Sequence, residues 1–291
     1  MRKTRVGVAP DSWGVIFVQD EKQMHWAKVL DEMAEAGFEG IELGPWGFFP
    51  NAIETLHPEL EKRGLDLASA TLPVEPVNAE KLSASLKTVD DMCRLLLSFQ
   101  DARHIVLLPE VIAKADWAAY CDGCQKIYEY AKESYGVTCV MHPHLTDKTY
   151  LQDPENWLTI ETEEQIERFL NDTGVPLCLD TGHHVCCGGD PVAFYRKWRD
   201  RIPFLHIKDC NPVVREKMLR ENITPVQASG EGIFCGPGEG MINFEAFRKE
   251  LEDAQYSGWL IIEHDCYPAK PGCPLPAAKR DRAAMRELGL G

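Results

Sequence analysis

Short apolar runs and longer amphipathic stretches alternate along the whole chain. Eight runs stand out: Arg5–Pro10, Gly40–Leu43, Asp66–Ala70, His104–Pro109, Val137–Pro143, Pro176–Thr181, Phe204–Asp209 and Gly258–Asp265. Most are continuous Val, Ile, Leu and Cys segments rather than alternating ones, the pattern of strands buried on both faces of a parallel sheet. Between them, apolar positions recur at helical spacing over Lys22–Ala36, Ala79–Ser98, Ala113–Ser134, Thr162–Asn171 and Phe244–Ala254. The punctuation agrees. Gly37 and Gly136 sit where the first and fourth helices should stop, and Thr162 with Gln165 forms a capping box.

Eight such units predict an α/β fold, a closed (β/α)8 TIM barrel rather than an open sheet. No linker rich in Gly, Ser or Pro divides the chain and no solenoid period is present, so residues 1–291 are expected to form a single domain. Two connections are longer than a barrel needs, Leu145–Ile160 after the fifth strand and Cys210–Asn243 after the seventh. The second opens on Asn211-Pro212, a cap and first-turn pair for a short helix. Both lie on the C-terminal face, where barrel active sites are built, and are candidate lids.

Composition narrows the partners. Hydrophobic residues make up 44% of the chain, enough for a sizeable core. The balance of 31 basic against 46 acidic residues gives a net charge of −15, which repels phosphate backbones and acidic lipid. Neither nucleic acid nor a membrane is expected as a partner, and no run has signal-peptide or membrane-spanning length. The 11 scattered cysteines imply reduced thiols and a cytoplasmic protein. Cys121 and Cys124 form a lone CxxC on one helical face, where core packing is favoured over redox or zinc chemistry. A homo-oligomer is compatible with the sequence but not specified by it.

The candidate chemistry is concentrated in the last four strands. His142, His144, His183, His184, His206 and His264 all fall at or just beyond their C-terminal ends, six of the 9 histidines in the chain. Asp180, Asp209 and Glu263 occupy equivalent positions. Mixed imidazole and carboxylate donors suit a borderline divalent ion, Mn²⁺ or Co²⁺ first, then Zn²⁺ or Fe²⁺, with Mg²⁺ less favoured. The expected ligands are Asp180, His206 and Glu263, with a fourth from His142 or Glu161. Asp180 could instead cap a turn, and His206 alone could be a satisfied core histidine. Glu263, inside an Ile-Ile-Glu strand, weighs most, because a lone buried carboxylate is costly without a cation.

Lys208, two residues past His206 and on the same side of the strand, could hold an oxyanion or exchange a proton; its alternative is a surface ion pair with Asp209. His183 could reach a substrate hydroxyl, whereas His184 points elsewhere and is structural. Trp13 and Trp46 could stack on the apolar face of a sugar or simply pack. Glu42, ending the second strand, is a further acid/base or hydroxyl acceptor. The GPGEG segment lacks the lysine and Ser/Thr of a phosphate loop, so it shapes a pocket rather than cradling a nucleotide.

The motifs CLDTGHH, LHIKD and WLIIEHD, set in this eight-strand pattern, resemble the xylose-isomerase-like superfamily of sugar isomerases and epimerases over nearly the whole chain. Within it, VGVAPDSWGV, GIELGPWGFFP, VMHPHLTD with IETEEQI, HIKDCNP and GEGIFCGPGEGMINF look most like inosose dehydratases. That resemblance implies metal roles for Asp180, His206 and Glu263 and substrate contact for His183. It also implies a lyase of inositol catabolism that removes water from a keto-inositol or 3-keto-sugar through an enediolate. One departure matters: many members carry a glutamate in strand five that is both ligand and base. Here the strand is CVMHPH, so the role passes to His142, His144 or Glu161, which weakens a two-glutamate epimerase mechanism and favours elimination. In that scheme His142 or Glu161 takes the α proton, and Lys208 or His183 protonates the leaving hydroxyl. The rival is an isomerase or epimerase using the same enolate. More distant are an apurinic-site endonuclease, for which the first three strands lack histidines, and a non-catalytic barrel.

Overall fold

The computed structural model describes residues 4–147, 154–270 and 272–291. Eight parallel strands make the barrel: β1 (Arg5–Val8), β2 (Gly40–Glu42), β3 (Asp66–Pro73), β4 (His104–Leu108), β5 (Thr138–Met141), β6 (Cys178–Asp180), β7 (Phe204–Ile207) and β8 (Trp259–Ile262). Their order is β5-β4-β3-β2-β1-β8-β7-β6. The sheet closes between β5 and β6, where Met141 bridges Leu177 and its amide donates to the Pro176 carbonyl at 2.8 Å. The eight expected strands are therefore present, and the TIM barrel is the fold.

The helices include α1 (Trp26–Ala36), α2 (Ile53–Glu61), α3 (Ala79–Leu96), α4 (Trp117–Tyr135) and α5 (Glu163–Asp172). They continue with α6 (Thr181–Cys186), α7 (Pro191–Trp198), α8 (Pro212–Glu221), α9 (Pro225–Gly230), α10 (Phe244–Asp253) and α11 (Pro274–Glu287). Gly37 and Gly136 end α1 and α4 at φ 86° and 68°, and the Thr162–Gln165 capping box opens α5. The first helix starts later than its periodicity suggested, because His25 caps it and the residues before it form a turn on Asp20. Helices α2, α7 and α11 carry Pro inside or at their starts, which hides them from a periodicity reading.

Alternation along each strand divides the core into two layers. Outward-facing side chains pack against the helices in one continuous cluster. Inward-facing Ala68, Val106, Val140, Cys178, Phe204, Trp259 and Ile261 fill the barrel with a separate apolar plug. Burying each large side chain in such a plug contributes about 1.5–3 kcal/mol. Two residues further along each strand, the same face presents His142, Asp180, His206 and Glu263, directly above the plug. A dry floor and a polar rim thus follow from period-two geometry. Among the described residues no helix is long and apolar enough to cross a membrane. Cys121 and Cys124 are buried within α4, as their helical spacing suggested.

Candidate metal centre and active site

His142, Asp180, His206 and Glu263 converge. One donor atom from each lies within 4.8 Å of all the others, and all four side chains are buried. Register explains why: Asp180 sits beside His206 across the β6–β7 ladder, and the Glu263 amide continues the β8–β7 pairing by donating to the Ile207 carbonyl at 3.3 Å. His142 Nε2 is 3.4 Å from Asp180 Oδ2 and 3.6 Å from Glu263 Oε2. His206 Nδ1 is 3.2 Å from Glu263 Oε2, yet it is buried without a hydrogen bond among the described residues.

Two carboxylates, two imidazoles and a buried nitrogen facing them form a donor set that fits a borderline divalent ion. The opposite nitrogen of His206 is already held: Nε2 lies 3.2 Å from Glu42 Oε2. Glu42 in turn accepts from Ser69 Oγ at 2.6 Å and from Thr71 Oγ1 at 3.0 Å. A carboxylate behind a histidine fixes its tautomer and turns the other nitrogen toward a metal. Glu42, a candidate acid/base or hydroxyl acceptor from the sequence, has its oxygens engaged by His206, Ser69 and Thr71 and still lines the cavity adjoining the site.

Glu161 lies outside this set of four. The groups of metal-capable atoms among the described residues exclude it, and its Oε1 accepts from the Thr146 amide at 2.9 Å. The cause is local. Gln165 Oε1 takes the backbone amides of both Glu161 and Thr162, which fixes Glu161 against the start of α5 and under the chain leaving β5.

Lys208 is nearly inaccessible and sits among three carboxylates, with Nζ 3.0 Å from Asp180 Oδ2, 2.8 Å from Glu263 Oε2 and 2.6 Å from Asp265 Oδ2. Burial opposes its charge, but Asp180, Asp265 and Glu263 hold it well above the usual lysine value. Burial likewise would raise Glu263, yet Lys208 and then His206 keep that carboxyl well below the usual range. The surface pairing of Lys208 with Asp209 does not occur. Adjacent residues on a strand face opposite ways, and Asp209 instead accepts the amides of Gly238, Gly240 and Ile242 at 3.2, 2.9 and 3.0 Å. It is the clasp of the GPGEG segment. Gly182 permits the lysine's position, because a Cβ there would fall 2.3 Å from Lys208 Cγ.

Asp180 also caps α6, its Oδ1 accepting the His183 amide at 2.7 Å. His183 Nδ1 accepts from the Leu145 amide at 3.3 Å, which leaves the proton on Nε2, 3.5 Å from Asp265 Oδ2. Burial, then Lys208, holds this imidazole neutral, well below 6.5. His184 turns away, to Glu163 Oε1 at 3.0 Å.

A cavity of about 180 Å³ adjoins the donor set at His142 and Glu263. Polar Asp11, Glu42, Thr71, His142, His144, Glu263 and Asp265 line it together with apolar Val15, Ile16, Pro45, Pro73 and Leu108. Neither expected tryptophan takes part. Trp13 is buried with Nε1 donating to Glu32 Oε2 at 2.8 Å, so its polar edge is drawn toward α1 rather than the mouth. Trp46 packs against the outer core. Two lining carboxylates were missed in the sequence. Asp265 was legible, closing the same run two residues past Glu263; Asp11, in the turn after β1, carried no comparable signal. Burial, then Glu263 and Asp265, raises the Asp11 carboxyl well above the usual range. Of the two long connections, Cys210–Asn243 holds α8, α9 and a short antiparallel pairing of Asp209–Cys210 with Phe234–Cys235, while Leu145–Ile160 lies partly outside the described residues.

A family model described as xylose isomerase-like TIM barrel matches residues 30–288. The chain belongs to that family. An inosose dehydratase of Clostridium beijerinckii is 28% identical, covering 98% of this chain and 97% of that one. Among solved structures, the IolI protein with a bound zinc atom superposes with a TM-score of 0.73 at 15% identity, covering 98% of each chain. The probable 3-DHS dehydratase AsbF from Bacillus anthracis superposes with a TM-score of 0.71 at 16% identity, covering 97% of this chain and 99% of that one. Those two likenesses are likenesses of fold.

Proposed function

We propose that the protein is a metal-dependent dehydratase that removes water from a small cyclic keto-polyol, such as a keto-inositol or 3-keto-sugar. The observation that carries this reading is the convergence of His142, Asp180, His206 and Glu263 beside a 180 Å³ cavity. Pockets for drug-sized ligands begin at about 300 Å³, so a cavity of this size suits one small ring. The full-length relatedness to inosose dehydratases supports the same reaction. We place the protein in the cytoplasm, where 11 cysteines scattered over a chain of this length stay reduced.

His142, Asp180, His206 and Glu263 would hold the ion, with Glu42 orienting His206. Mn²⁺ or Co²⁺ is the proposed occupant, Zn²⁺, Fe²⁺ and Mg²⁺ being the alternatives. When bound, such an ion supplies Lewis-acid polarisation of a ketone oxygen and lowers the acidity barrier of the adjacent C–H. With His142 among the ligands, it is withdrawn from base duty. His144 lines the cavity, and loss of bulk water around its ring, then the neighbouring His142, keeps it below the usual imidazole range. It is therefore neutral and is our candidate to take the α proton. Lys208, held charged, is the matched acid: it serves the leaving hydroxyl through Asp265, which lines the cavity. Groups whose environments push their pKa values apart divide acid from base work in this way. His183 Nε2–H donates to a substrate oxygen, and the apolar wall of Val15, Pro45 and Leu108 excludes water.

The test is incubation with scyllo-inosose and Mn²⁺ in heavy water, followed by mass spectrometry. A dehydratase yields a product lighter by one water. Deuterium uptake without water loss would replace dehydration by epimerisation, and neither change would reject both.

A further inference from the structure

We infer that Lys208 is a built-in counter-cation of the metal site: its ammonium and the ion draw on the same two carboxylate oxygens, and Asp265 keeps the lysine when the ion is bound. The inference rests on the metal reading above. Asp180 Oδ2 faces both Lys208 Nζ at 3.0 Å and His142 Nε2 at 3.4 Å. Glu263 Oε2 faces Nζ at 2.8 Å, His206 Nδ1 at 3.2 Å and His142 Nε2 at 3.6 Å. The oxygens turned toward the imidazole ligands are thus the oxygens turned toward the lysine. A monovalent and a divalent cation sharing them in a buried site repel each other strongly. Asp265, at 2.6 Å the shortest partner of Nζ, lies outside the four-residue set and gives the ammonium somewhere to stay.

The rest of the lysine is fixed. Its amide donates to Thr181 Oγ1 at 3.1 Å, and that hydroxyl donates to the Lys208 carbonyl at 2.7 Å. Gly182 presses on the stem, and the Phe234 ring centroid is 4.7 Å from Nζ. Only the terminal torsions are left to move Nζ between Asp180 and Asp265. Two consequences follow. Without an ion the buried carboxylates keep a compensating charge, so the barrel mouth stays assembled. With an ion, binding is weaker than the four ligands alone would give, because the lysine's repulsion is part of the bound state.

Mn²⁺ titration monitored by calorimetry and by the free-ion paramagnetic resonance signal tests this, on wild type, Lys208→Met, Lys208→Gln, Asp265→Asn and the Lys208→Met/Asp265→Asn pair. Both lysine variants should bind Mn²⁺ at least about tenfold tighter. Their Tm in chelator should fall, and their Tm gain on adding Mn²⁺ should exceed that of wild type. Asp265→Asn should weaken binding by more in the wild-type background than in the Lys208→Met background, since one lost interaction is with the lysine itself. Unchanged or weaker binding in the lysine variants, or an Asp265 effect equal in both backgrounds, overturns the inference while leaving the metal reading intact. A wild-type protein that binds no Mn²⁺, Co²⁺ or Zn²⁺ rejects both.

Discussion

Replacing Glu42 by Gln is the sharpest test of how the proposed metal site is held. The change preserves shape and removes one charge from a buried chain running from Ser69 and Thr71 through Glu42 to His206. Hydrogen bonds to a charged group contribute about 1.5–3 kcal/mol and neutral ones about 0.5–1.5 kcal/mol, so the 3.2 Å contact should lose about 1–1.5 kcal/mol. At about 1.4 kcal/mol per decade that is close to a tenfold loss of metal affinity, at the lower edge of the 10–100-fold range for such partners. Calorimetric titration with Mn²⁺ measures it directly, and Tm in chelator shows whether the barrel itself has suffered. A variant that binds Mn²⁺ like wild type but needs far more substrate for half-maximal rate would place Glu42 on the substrate and refute the orienting role.

Three further outcomes are expected. His104, at the N-terminal end of β4, has its imidazole pushed down to about 4 by burial, against 6.5 when free. The unfolded chain therefore binds the extra proton first: stability is full above pH 6.5 and falls by about 3 kcal/mol as pH drops to about 4. His104→Phe, keeping the contact with Phe204, should flatten that slope in denaturant titrations, and an unchanged slope would exonerate His104. Asp209→Ala removes the acceptor for the Gly238, Gly240 and Ile242 amides. Stability should fall by about 3 kcal/mol, with hydrogen exchange faster at those three amides; unaltered exchange would contradict the clasp. Gly182→Ala places a methyl 2.3 Å from Lys208 Cγ, costing about 1–3 kcal/mol and displacing Nζ. Turnover should fall more than Tm would suggest, and wild-type turnover would show that Lys208 can move freely.

The sequence by itself determined the architecture and most of the buried donor cluster. Apolar runs set the strands, and a polar residue two positions past an apolar one must share its face, which is why Asp180, His206, Lys208 and Glu263 were legible without coordinates. Local rules of this kind act over a few residues and need no knowledge of the fold. What crosses the barrel they could not reach. That His142 rather than Glu161 joins the other three side chains depends on the closing bridge from β5 to β6 and on where Gln165 fixes Glu161. The pairing of Glu42 with His206 spans 164 positions of sequence. Whether Trp13 faced the cavity or α1 was settled by Glu32, and Asp11 entered the site only because the turn after β1 packs against the end of β8. Closure of the sheet made these decisions, because it alone sets which distant side chains become neighbours in a volume from which water is excluded.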